Sequence, residues 1–209
     1  MKQLQIAFDT KSLDECIKIG KECEEYLDII ELGTPLVYKY GAEGITKFKE
    51  AFPDKKILAD FKIMDAGEFE TKIALDAGAD IVTVLAAADN QTIEDSLKAV
   101  KEAGKELLVD LICVHDFEER VSYLEKIGVD YICVHTGSDT QKLGANPLKD
   151  LITVKKLVKN TKVSVAGGVK VDTVKSISDE NPDVIIVGGG LYNAENPAET
   201  AKKMVDIIK

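Results

Sequence analysis

No run of the chain is apolar over the roughly twenty residues a membrane-spanning helix needs. Met1-Lys2-Gln3 leads into a short strand-like segment rather than the apolar stretch of a signal peptide, so the expectation is a cytoplasmic protein with no membrane partner. Positive charge is in deficit: 27 Lys and Arg face 37 Asp and Glu, a formal net charge of -10. Such a balance argues against nucleic acid as a partner, and an anionic small substrate has to be held by local groups. Cys16, Cys23, Cys113 and Cys133 form no C-x-x-C pair and sit in apolar-patterned segments, so they read as small buried hydrophobes rather than a zinc or redox site. No low-complexity segment or Pro/Gly/Ser-rich linker offers a boundary. Residues 1–209 are expected to form one domain, and 45% hydrophobic residues suffice for one substantial core.

What is present is a rhythm. Short apolar runs alternate with helix-patterned segments: Leu4–Phe8, Asp28–Ile30, Ile57–Asp60, Ile81–Val84, Leu107–Val109, Tyr131–Val134, Val163–Ala166 and Val184–Val187 read as strands. Ser12 with Glu15, and Asp116 with Glu119, have the spacing of capping boxes, while Gly78, Gly104 and Gly128 read as helix stops. Between the second and third strands the helix is expected over about 44–51, and 136–146 reads as a long polar loop. A phrase recurs: a helix end, Gly or Asn-Pro, an Asp, then four apolar residues, at Gly78-Ala79-Asp80, Gly128-Val129-Asp130 and Asn181-Pro182-Asp183. Eight strand-then-helix units predict a parallel sheet closed into a (β/α)8 TIM barrel. A doubly wound open sheet is the alternative, but it would normally carry a glycine-rich turn after its first strand, and Asp9-Thr10-Lys11 has no glycine.

The strand ends carry the chemistry. Ile57-Leu58-Ala59 stops at Asp60, followed by Lys62 and Asp65, a D-x-K-x-x-D cluster in which a lysine between two acids stays protonated. Asp9, Glu31, Asp110 and His135 close other strands, and a barrel brings such endings to one face. Glu31 and Asp60 on adjacent strands suit a hard cation that keeps several waters, Mg2+ or equally Mn2+. Gly167-Gly168 and Gly188-Gly189-Gly190 follow the seventh and eighth strands, where barrels hold phosphate on backbone N–H groups. His135, beside a polar loop, is a candidate general base or acid; His115, at a helix start, reads as a surface or capping residue. Lys39, the Lys47-Lys49 run and Glu22-Glu24-Glu25 read as solvated helix faces.

Taken together, Asp9, Glu31-Leu32-Gly33-Thr34-Pro35, Asp60-Phe61-Lys62-Ile63-Met64-Asp65, Asp110-Leu111-Ile112, Val134-His135-Thr136-Gly137 and Ala166-Gly167-Gly168 resemble the orotidine 5'-phosphate decarboxylase suprafamily, over essentially the whole chain. The resemblance implies an Mg2+-dependent aldol condensation of D-ribulose 5-phosphate with formaldehyde to D-arabino-hex-3-ulose 6-phosphate, through an enediolate stabilised by the metal. It also implies the roles. Glu31 and Asp60 ligate the metal, Lys62 stabilises the enediolate oxygen, and Asp9 holds substrate hydroxyls. His135 moves the proton at carbon 1 with Asp110 assisting, Gly168, Gly188 and Gly189 bind phosphate, and Asp65 crosses into the partner's site of a homodimer. A sibling that decarboxylates 3-keto-L-gulonate 6-phosphate carries glutamate where Asp110 stands, and arginines near Ser138-Asp139 and at Gly189; this chain departs from it at all three places. Decarboxylation of orotidine 5'-phosphate itself implies an extra upstream lysine with no counterpart here. A barrel that binds a sugar phosphate without turning it over is the non-enzymatic alternative, and the density of ionisable groups at the strand ends argues against it.

Overall fold

An aspartate just ahead of every second strand sets the frame of the molecule. In a computed structural model that describes residues 2–209, Asp28, Asp80, Asp130 and Asp183 accept the backbone N–H groups of Leu4, Ile57, Leu107 and Val163 at 2.8–3.0 Å. Each acid precedes a strand and satisfies an amide at the start of the strand before it. The recurring Asp-plus-four-apolar phrase is therefore a clamp between neighbouring strands at the end where they begin.

The elements run β1 (Gln3–Phe8), α1 (Leu13–Cys23), β2 (Ile29–Leu32), α2 (Thr34–Ala51), β3 (Lys56–Ile63), α3 (Gly67–Asp76), β4 (Ile81–Leu85), α4 (Asn90–Glu102), β5 (Glu106–Asp110), α5 (Phe117–Ile127), β6 (Tyr131–His135), α6 (Ser138–Gln141), α7 (Leu148–Leu157), β7 (Lys162–Ala166), α8 (Val171–Asp179), β8 (Val184–Val187), α9 (Gly189–Tyr192) and α10 (Pro197–Ile208). The eight strands are parallel and close in sequence order, β1 pairing with both β2 and β8, which is a (β/α)8 barrel and excludes the open sheet. No helix among the described residues is long and apolar enough to cross a membrane.

Alternation along each strand divides the core in two. Leu4, Ile6 and Phe8 of β1, or Ile132 and Val134 of β6, face outward into the shell under the helices, while Ala7, Leu108, Tyr131 and Cys133 face the barrel axis. The axial core is closed where the strands begin by Glu106, which takes Lys56 and Lys162 as partners and accepts the Tyr131 hydroxyl. Only the opposite end is left open.

Several sequence expectations are corrected. Helix α2 starts at Thr34, ten positions before the expected Gly44, because Pro35 fits the first helical turn; Gly41 then breaks the period with φ 57°. Strand β3 does not end at Asp60 but runs to Ile63, and Glu31 lies within β2 rather than beyond it. The 136–146 loop contains α6. Ser12 and Glu15 form the full capping box, whereas Asp116 accepts only the Glu119 N–H. Cys113 is exposed with φ 64°, unlike the three buried cysteines, since it sits in the turn after β5 where no strand pattern holds. Lys49 is not a solvated residue: its ammonium reaches Asp80 at 2.9 Å and the carbonyls of Pro53 and Lys55.

Candidate active site

The open end of the barrel holds a cavity of about 590 Å3 whose lining includes Asp9, Glu31, Asp60, Lys62, Asp110, His135, Gly168, Gly188 and Gly189. Nine of the ten residues singled out from the sequence thus meet in one space. Asp65 is the exception: it is exposed, outside the cavity lining, and its Oδ1 accepts the Ala66 N–H at 2.7 Å.

Three of the acids are buried, Glu31 at 7%, Asp60 at 6% and Asp110 at 2% exposure. Burial, and then the neighbouring Asp60 carboxylate, push the Glu31 carboxyl well above its ordinary range; Gln5 donates to it at 2.5 Å and partly offsets this. Asp9 is raised to about 6, again by burial first and Asp60 second, against the opposing pull of Lys62 and His135. Gly33 lets Asp9 sit here, since a Cβ at that position would lie 2.1 Å from Asp9 Oδ1.

Lys62 lies 2.6 Å from Asp60 Oδ2 and 3.4 Å from Asp110 Oδ2. Burial alone would favour the neutral amine, but the two carboxylates outweigh it and hold the ammonium charged. Burial would likewise raise Asp110, yet His135 and Lys62 keep its carboxyl below the usual range, and Ile112 donates its N–H to Oδ1 at 2.9 Å. The other oxygen, Oδ2, meets His135 Nδ1 at 2.7 Å. With Asp110 ionised, Nδ1 carries the proton in that bond, and Nε2 is the nitrogen free to exchange one. Carboxylate, ammonium, carboxylate and imidazole therefore form one connected line along the cavity wall.

At the ends of β7 and β8, Gly168, Gly188 and Gly189 leave backbone exposed to the cavity. Gly167 adopts φ 103° and passes so near Thr136 that a Cβ would come within 2.2 Å of its carbonyl oxygen. Lys170 lines the same region and was not singled out from the sequence, although a cation two residues beyond a glycine pair was a usable signal. Gln5, Thr34, Thr83, Gln141 and Tyr192 also line the cavity. Uncharged, they carried no signal among many similar residues. His115 is exposed and outside the cavity.

Residues 2–204 match the profile described as the orotidine 5'-phosphate decarboxylase / HUMPS family. The 3-hexulose-6-phosphate synthase of Bacillus subtilis (strain 168) is 48% identical over 206 residues, covering 99% of this chain and 98% of that protein. Among solved structures, 3-hexulose-6-phosphate synthase from Salmonella typhimurium aligns with a TM-score of 0.96 and 44% identity, over 99% of this chain and 98% of the other. KGPDC from Streptococcus mutans aligns with a TM-score of 0.87 and 31% identity, over 100% of this chain and 97% of the other.

Proposed function

Because the chain belongs to the orotidine 5'-phosphate decarboxylase / HUMPS family, we propose that it joins D-ribulose 5-phosphate to formaldehyde by a reversible aldol condensation, giving D-arabino-hex-3-ulose 6-phosphate. The observation that carries this reading is the line Asp60, Lys62, Asp110, His135 along one wall of the cavity. It joins a proton-transfer group to a fixed positive charge, which removal of a proton beside a carbonyl requires.

The donor set fits a divalent cation. Two buried carboxylates adjoin, Glu31 with its carboxyl raised by burial and by Asp60. Among the described residues no cluster of three or more His, Cys, Asp or Glu is arranged as a ligand set, so two protein carboxylates would share the shell with water and substrate, the habit of Mg2+. Glu31 and Asp60 would hold Mg2+, or Mn2+, whose charge would stabilise negative oxygen in the reacting sugar.

The chain's own residues do the rest. Gly168, Gly188 and Gly189, with Lys170 beside them, take the phosphate at one side of the cavity. Asp9 accepts substrate hydroxyls. His135 Nε2 removes the proton from carbon 1 while Asp110 holds the ring, and the Lys62 ammonium stabilises the enediolate oxygen. Carbon 1 then attacks the formaldehyde carbon, and a proton passes to the former aldehyde oxygen, so that the proton count closes. The apolar floor below, including Leu58, Leu108 and Ile186, limits water around the charges. We further propose that the chain works as a homodimer in which Asp65 of each copy completes the other's site.

The test is turnover of ribulose 5-phosphate with formaldehyde against 3-keto-L-gulonate 6-phosphate, with and without EDTA. The expected result is condensation preferred, and a loss on the order of 10²-fold or more on chelation, restored by Mg2+. Faster decarboxylation would transfer the site to the sibling reaction, and binding of the pentulose phosphate without turnover would leave a sensor.

A further inference from the structure

The geometry points to Thr83 as the positioning residue of this site, a single hydroxyl that sets both the backbone of Lys62 and the rotation of the Asp60 carboxylate. The inference rests on the roles proposed above for Asp60 and Lys62. Between Ala59 and Ile63, β3 advances four residues while the facing β4 advances only two, Val82 to Val84. Thr83 is the residue of β4 opposite this bulge. At the bulge Lys62 takes φ 47°, a left-handed conformation that is unfavourable for a non-glycine residue and persists only where neighbours enforce it.

Thr83 is that neighbour. Its Oγ1 accepts the Lys62 N–H at 2.9 Å and donates to Asp60 Oδ1 at 2.9 Å. The polarity is fixed, because an amide N–H can only donate and a carboxylate can only accept, so the hydroxyl is fully committed in one direction. Thr83 is 3% exposed, so the protein itself, rather than bulk solvent, supplies both of these bonds. Asp60 Oδ2 is meanwhile taken by Lys62 Nζ at 2.6 Å and by the Thr34 hydroxyl at 2.7 Å. Both carboxylate oxygens are therefore held, and the lysine is held at its backbone as well as its ammonium. Without the Thr83 hydroxyl, the Lys62 N–H is left buried without this acceptor, and Asp60 can rotate about the bonds that remain.

The experiment compares wild type, Thr83→Val and Thr83→Ser by steady-state kinetics on ribulose 5-phosphate and formaldehyde, Mn2+ titration by electron paramagnetic resonance, and crystal structures. Valine keeps the shape and removes the hydroxyl; serine keeps the hydroxyl. We expect T83V to lose on the order of 10- to 100-fold in kcat and about tenfold in Mn2+ affinity, with KM for the pentulose phosphate changed less than about threefold. T83S should recover most of both. In the T83V crystal, Lys62 should leave the left-handed region or the Asp60 carboxylate should turn. T83V turning over and binding Mn2+ like wild type would overturn the assignment, as would T83S falling as far as T83V. If wild type neither turns over nor binds Mn2+, the functional reading fails separately, and the T83V crystal decides alone: an unmoved Lys62 and Asp60 overturn the positioning role, and a displaced pair supports it.

Discussion

Asp9 shows how the site's charges act against the fold that holds them. Its carboxyl stands at about 6 in the folded chain, raised by burial and by Asp60, against an ordinary value of 3.8. Between those values the folded protein keeps a proton that the unfolded chain has released. Stability from this group is therefore complete below about pH 4 and lost as pH rises through 6. Asn cannot titrate, so Asp9→Asn should match wild type in stability near pH 4 and exceed it at pH 8 by on the order of 1–3 kcal/mol. Urea denaturation at the two pH values measures this, and a pH-independent gap would show that Asp9 is not held in the protonated-favouring environment described. Activity should move the other way, since the same carboxylate is proposed to hold the sugar hydroxyls. An ionised Asp9 thus works against the fold that holds it, as befits a group proposed to act on substrate rather than on stability.

Elements were legible in the sequence where periodicity and punctuation agreed, and illegible where backbone conformation departed from the pattern. All eight strands could be read, because each is a short apolar run bounded by Asp or Gly. The start of α2 was not: Gly41 at φ 57° interrupts the helical period, so only its second half reads as helix. The extension of β3 past Asp60 was hidden too, since its charged residues look like a loop and only the bulge facing Thr83 lets the strand continue through them. The charged members of the site could be found because each interrupts or follows a short apolar run, whether or not the strand stops there, whereas Thr83 and Gln5, which hydrogen-bond to those charges, could not. The Asp phrase was visible as a repeat, but its cause lies in the pairing of strands. If the clamp explanation is right, Asp130→Ala should cost about 1–2 kcal/mol by orphaning the Leu107 N–H, and Asp130→Asn, which keeps an acceptor, should recover most of that. Turnover should stay within about twofold of wild type in both, because the acid lies at the barrel end away from the cavity. A loss of activity larger than the loss of stability would mean that the two ends of the barrel are coupled.

For the whole molecule, the remaining question is how Asp65, the one sequence-selected residue outside the cavity, could serve it. Its surroundings are unusual for a solvated loop: Met64 is 53% exposed, Phe69 70% and Ile73 39%, three large apolar side chains on the segment that carries the acid. Scattered apolar residues are ordinary on a surface, but these lie close in sequence to a carboxylate that, among the described residues, has no cation within salt-bridge distance. A second copy of the chain, docking this face so that Asp65 reaches the other cavity, would bury these side chains and give the carboxylate a function. Complementation tests that arrangement. Lys62→Ala removes the ammonium within a copy's own cavity and Asp65→Asn removes the acid lent to the other copy, so each homodimer should lose on the order of 10²-fold or more in kcat. In a mixed dimer, one of the two cavities combines an intact Lys62 with an intact Asp65 from the other copy. After subunit exchange verified by mass spectrometry, an equimolar mixture forms mixed dimers in half its population, and about a quarter of wild-type activity should return. If exchange is complete and activity stays at the level of the parents, Asp65 acts within its own chain or not at all.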